Sequence, residues 1–215
     1  MKNKRTYYQL ILDRSGSMSS CVEETVTGVN SQIRRIKEIA ERYPEQEIVI
    51  SLSLFNQELS LVRDRVRPFA LNELGYADYK PAGMTALYDA IGLSVSTLQK
   101  SISREVENDE ASVVVVIFTD GYENASTQYT HQRISSIIRE LELTGRWVFN
   151  YIGATLDAVN IAVNLNIKSS NAARYSVEDS VMEFNKVARG MEMYMKRKNE
   201  GVINTDFLES EGSDN

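Results

Sequence analysis

The hydrophobic pattern begins with residues 6–12, TYYQLIL, an aromatic and aliphatic run that predicts a buried strand. From Val22 the period changes. Val22, Val26, Val29, Ile33, Ile36, Ala40 and Tyr43 recur at spacings of three and four, one face of a helix that Pro44 helps to end. Residues 47–55, EIVISLSLF, predict a second strand. Residues 59–67, LSLVRDRVR, alternate with charge on one face and suit an exposed edge strand, paired antiparallel through a turn at 56–58.

A looser stretch with Pro68, Gly75, Pro81 and Gly83 precedes a second long helix marked by Leu87, Ile91, Val95, Leu98 and Ile102. Residues 112–118, SVVVVIF, are apolar on both faces, as a central parallel strand must be. Ile134, Ile137, Ile138 and Leu141 mark a further helix ending near Gly145. A strand at 147–152, a short helix at 155–165, a weak strand at 173–177 and a final helix at 181–198 follow. Strands alternating with helices predict an α/β fold: a doubly wound, mostly parallel central sheet with one antiparallel edge strand and helices on both faces, Rossmann-like in plan. Ligands in such sheets bind at the carboxyl ends of the strands.

The first strand runs into LDRSGSMSS, residues 12–20. Asp13, Ser15 and Ser17 occupy alternate positions, so an extended backbone turns their oxygens to one side, and Gly16 keeps the bend free of a side chain. Carboxylate and hydroxyl oxygens are hard donors suited to Mg²⁺, which takes six oxygens at about 2.0–2.1 Å. Thr85, in a loop that opens a helix, and Asp120, at the end of the central strand in FTDGYEN, offer two more. The competing reading is local: serines before a helix cap it, Thr85 caps the next helix, and Asp120-Gly121 is a turn.

D-x-S-x-S at 13–17, the loop threonine at 85 and the aspartate at 120 resemble the metal-ion-dependent adhesion site of von Willebrand factor type A domains. The likeness spans roughly residues 5–195, and TDGYEN followed by WVFNYIGATLDA is similar to bacterial and phage-associated members, including some associated with tellurium resistance. The resemblance implies that Asp13, Ser15, Ser17, Thr85 and Asp120 ligate Mg²⁺ (or Mn²⁺). It further implies that the ion, surrounded mostly by neutral oxygens, captures an Asp or Glu side chain of a protein partner without catalysis. Met84 separates Gly83 from Thr85 and is expected to narrow or grease the rim of the site; Tyr122 and Glu123 are expected to shape the partner surface.

Composition narrows the alternatives. The single Cys21 excludes an intrachain disulfide and a thiolate zinc cage, and is expected to be buried and inert. His131 is the only histidine and Trp147 the only tryptophan, read as a surface and a core residue. No G-x-G-x-x-G, P-loop or G-x-S-x-G motif occurs. The enzymatic alternative is a Mg²⁺-dependent phosphatase-like hydrolase, although Ser15 stands where a second carboxylate is usual; the other is a scaffold that the metal merely stiffens. Residues 199–215 hold Glu200, Asp206, Glu209, Glu211 and Asp214 and no lysine or arginine, so nearly all of the formal net charge of −6 sits there. The body, 1–198, is then near neutral and lacks the basic footprint of a nucleic-acid binder. The acidic end is expected to be a flexible tail. No stretch predicts a signal peptide or a membrane span, and a cytoplasmic location is expected.

Overall fold

The computed structural model describes residues 4–175, 180–203 and 205–208. Six strands form one sheet in the order β3-β2-β1-β4-β5-β6. They are β1 (Arg5–Asp13), β2 (Glu47–Phe55), β3 (Leu59–Val66), β4 (Ala111–Thr119), β5 (Trp147–Gly153) and β6 (Ala172–Arg174). Among the described strands only β3 is antiparallel to its neighbour. Its hairpin closes on Asn56, whose N–H donates to the Glu58 carbonyl while its side chain accepts from the Glu58 N–H.

Five helices cover the two faces: α1 (Val22–Arg42), α2 (Leu87–Glu107), α3 (His131–Glu142), α4 (Ala158–Asn164) and α5 (Ser180–Asn199). The alternation within each strand divides the core. Tyr8, Leu10, Leu12, Ile50, Leu52 and Leu54 pack under α1 and α5, where Phe118 stacks between Tyr175 and Phe184. Tyr7, Ile11, Val113, Val115 and Ile117 pack under α2, α3 and α4. Trp147 is buried, as is Cys21, and His131 is exposed with its ring edge-on to Tyr88. No helix among the described residues is long and apolar enough to cross a membrane.

Three boundaries differ from the sequence reading. The helix expected at 155–165 forms only from Ala158, because residues 155–158 make a turn in which the Ala158 N–H meets the Thr155 carbonyl and Leu156 is left exposed. The strand expected at 173–177 is Ala172–Arg174, and residues 176 and 177 lie outside the described residues. The segment after α5, expected to leave the body, returns to it. Phe207 is buried against Tyr194 and Gly190, and Asn171 binds the Phe207 N–H and the Thr205 carbonyl. Two apolar residues, Phe207 and Leu208, outweigh the local acidity; residues 209–215 lie outside the described residues.

From β1 the chain moves outward to β2 on one side, and from β4 to β5 on the other. The switch point of the topology is therefore between β1 and β4, and the crevice at their carboxyl ends is where such a sheet exposes a site.

Candidate metal centre

Asp13 ends β1 and Thr119 ends β4, two parallel neighbours whose register pairs Leu12 with Phe118. That register brings the Thr119 hydroxyl to Asp13 Oδ2, to which it donates at 2.6 Å. Asp13 Oδ1 accepts the Ser15 N–H at 2.6 Å, and the Tyr79 hydroxyl donates to the Asp13 carbonyl. Asp13 is fully buried. Beyond it Ser15 stays extended, and Gly16–Ser20 makes a 3₁₀ turn before α1.

This turn gathers the other loops. The Gly16 N–H donates to the Gly83 carbonyl at 3.0 Å and the Ala82 N–H to the Arg14 carbonyl at 2.9 Å, which fixes the 81–86 loop beside it. Ser17 Oγ lies 3.2 Å from Ser15 Oγ and donates to Asp120 Oδ1 at 2.6 Å. Thr85 Oγ1 and Ser17 Oγ both face Gly121: a Cβ built there would stand 3.0 Å from the first and 3.5 Å from the second. Glycine thus leaves open the space that the hydroxyls face. The structure brings Asp13, Ser15, Ser17, Thr85 and Asp120 to one place, from three loops distant in sequence.

Ser15 stands at the N-cap of the 3₁₀ turn without a side-chain capping bond, and neither serine of the motif caps α1. Ser19 Oγ and Ser20 Oγ donate back to the Gly16 and Ser17 carbonyls, Cys21 occupies the N-cap of α1, and Ala86, not Thr85, that of α2.

No protein-family model matches the chain, and no curated protein matches it. Solved structures do. The PilB minor pilin of Streptococcus sanguinis superposes with a TM-score of 0.62 at 11% identity, over 88% of this chain and 62% of that one. Proximal thread matrix protein 1 from the mussel byssus, in a structure whose MIDAS motif is occupied by zinc, gives 0.58 at 16%, over 88% and 46%. A von Willebrand factor type A protein from Catenulispora acidiphila gives 0.55 at 12%, over 90% and 43%. The fold is that of a von Willebrand factor type A domain. The chain spans less than two thirds of each of these three structures.

Within this type A fold the donor set suits a hard cation. Burial pushes the Asp13 carboxyl up to about 6 against the pull of its Thr119 and Ser15 hydrogen bonds, and burial raises Asp120 as well. Among the described residues no ion pair reaches either carboxylate. Nor do three His, Cys, Asp or Glu side chains among them come together as a metal site, so a metal here would be held largely by hydroxyls. Two desolvated acids among three hydroxyls are what a divalent cation would offset, and the oxygen-only set excludes preference for a soft metal.

Several residues that position the loops were not singled out in the sequence. Thr119 and Asn124 lie inside the TDGYEN motif; Asn124 holds Thr85 by two hydrogen bonds, its side-chain Oδ1 accepting the Thr85 N–H and its own N–H donating to the Thr85 carbonyl. Glu123, expected on the partner surface, turns inward: its carboxylate accepts the N–H groups of Tyr88, Ala125 and Ser126 and the Ser126 hydroxyl. Asp89 does the same for Thr127, Gln128 and Tyr129. Gln57 accepts from the Met84 N–H, leaving the Met84 side chain exposed at the rim; Tyr122 is also exposed and donates to Asp157.

Proposed function

We propose that Asp13, Ser15, Ser17, Thr85 and Asp120 hold Mg²⁺ or Mn²⁺ and that the ion binds an Asp or Glu side chain of a protein partner without catalysing a reaction. The observation that carries this reading is the convergence of the five oxygen-bearing side chains across three loops, with Gly121 keeping their shared space open. Three of the five donors are neutral hydroxyls, weaker donors than carboxylates, so the bound ion stays electrophilic toward an incoming acid. Ser17 is exposed, which gives that acid an approach. The zinc-occupied motif of the mussel thread protein supports metal binding by this fold.

The hydrolase reading finds little support. Asp13, the carboxylate placed for a nucleophile, is fully buried, which denies a phosphoryl group, far larger than a metal ion, its approach.

Titration with Mn²⁺, followed by electron paramagnetic resonance, tests the ion: wild type binds one equivalent, whereas Asp13→Ala and Thr85→Ala lose it with their circular dichroism unchanged. Capture of Glu-bearing peptides that requires the metal and is abolished by chelator then tests the acid. Metal that raises the melting temperature with no carboxylate capture would leave only a stiffened scaffold and refute the proposal.

A further inference from the structure

Strand β2 carries a pattern that a fully covered strand does not require. In ISLSLF, Ile50, Leu52 and Leu54 serve the core under α1 and α5, while Ser51 and Ser53 point to the other face, toward α2. Gln9 on β1 joins them, donating to Ser53 Oγ. Small polar side chains stand where aliphatic ones would fill the layer, and a cavity of about 150 Å³ opens between the sheet and α2. The edge strand bends away at this point: the β2–β3 pairing slips twice between Ile50 and Ser53, and Arg65 takes φ +48°, its N–H caught by Ser51 Oγ.

A second cavity, of about 260 Å³, lies against Asn56, Gln57 and Ala86. Leu59 and Leu93 line both, so the two adjoin, a groove of two pockets along the seam of α2 and β3. Its upper end is at the candidate metal centre, because Ala86, bonded through its N–H to the Asn56 carbonyl, directly follows Thr85. Within the groove Ser94 Oγ is buried and has no hydrogen-bond partner among the described residues, an unmet polar group.

We propose that this groove seats an extended segment of the protein partner, continuous with the residue whose carboxylate meets the ion. An aliphatic side chain of that segment packs between Leu59 and Leu93, and a polar group further along bonds Ser94 Oγ. Strand β3 from Leu59 to Arg65 spans roughly 20 Å at about 3.3 Å per residue, which sets the segment at about six extended residues. The inference rests on the metal-capture reading of the site.

A phage-displayed library of twelve-residue peptides with one fixed central Glu, selected on the Mn²⁺-loaded domain, tests it. Enrichment of an aliphatic residue at a fixed offset on one side of the Glu is expected. Leu93→Lys, and Leu61→Glu at a half-exposed position that tolerates charge, should each weaken the selected peptide at least tenfold with Mn²⁺ affinity unchanged. Ser94→Ala should weaken it severalfold. Peptides that bind with no flanking preference, that ignore both leucine variants, or that respond instead to Tyr122→Ala or Leu156→Ala overturn the groove while leaving metal capture intact. A domain that binds no Mn²⁺ overturns both readings.

Discussion

Asn124 and Thr85 exchange hydrogen bonds in both directions: the Thr85 N–H donates to Asn124 Oδ1 at 2.8 Å, and the Asn124 N–H donates to the Thr85 carbonyl at 3.0 Å. The loop after β4 thereby sets the height of a candidate ligand that belongs to a different loop. Asn124→Ala removes the side-chain half of this clasp and frees Thr85 to move. Because Asn124 is exposed, the fold should survive. Outer partners of metal ligands typically cost 10–100-fold in affinity when lost, and about tenfold weaker Mn²⁺ binding is expected. Asn124→Asp, which keeps the acceptor, should retain most of the affinity. Isothermal titration of both variants decides the matter.

Asp13 has a cost that a metal would offset. Its carboxylate is buried with no cation beside it among the described residues, so Asp13→Asn should leave the chelated domain at least as stable as wild type, since the Thr119 hydroxyl can turn to accept from the new amide. With Mn²⁺ at a hundred times its dissociation constant, wild type should gain about 2.7 kcal/mol. The variant should gain nothing. Melting curves in EDTA and in Mn²⁺ give both comparisons, and a variant stabilised by Mn²⁺ as much as wild type would remove Asp13 from the metal's ligands.

The site was legible where polar residues interrupt an apolar run. Asp13 closes one buried strand and Asp120 follows another, and parallel pairing at the switch point brings such ends together. What escaped was support without a periodic signal. Glu123 and Asp89 bind the N–H groups of short loops, a use of carboxylates that looks in sequence like ordinary surface charge. Phe207 escaped because the acids around it dominate the composition, although one buried ring suffices to return the segment to the body. The bulges of β3 were hidden by an alternation that looks regular, since register depends on what lies beneath the strand.

Gly28 lies in the middle of α1, where propensity alone disfavours it. A Cβ at this position would fall 2.0 Å from the ring of Phe184 on α5, the ring that stacks on Phe118. The glycine is there so that two helices can approach. Gly28→Ala should therefore destabilise the domain by about 1–3 kcal/mol, as overpacking does, instead of gaining the helix propensity of alanine. Urea unfolding measures the sign: a stabilised variant would mean that α5 seats elsewhere.

Lys198 gives the domain a pH dependence of its own. Near the end of α5 its Nζ is buried and donates to the Arg5 carbonyl, Thr6 Oγ1 and Ser112 Oγ at 2.6–2.9 Å, tying the helix to the first residues of β1 and β4. Burial, aided by the nearby charge of Arg146 and opposed by that of Asp109, pushes its ammonium down from 10.5 to about 7. Between those values the unfolded chain holds a proton that the folded chain does not, so the lysine's contribution to stability rises with pH from about 7 and is flat below it. The slope should reach at most about 1.4 kcal/mol per pH unit. Lys198→Met should lose that slope, and also about 1–3 kcal/mol from acceptors left unpaired. Urea unfolding of both proteins at pH 6, 7, 8 and 9 separates the two effects. If the difference between wild type and variant stays constant across the series, Lys198 remains charged throughout, held by three oxygens that between them accept all three of its protons.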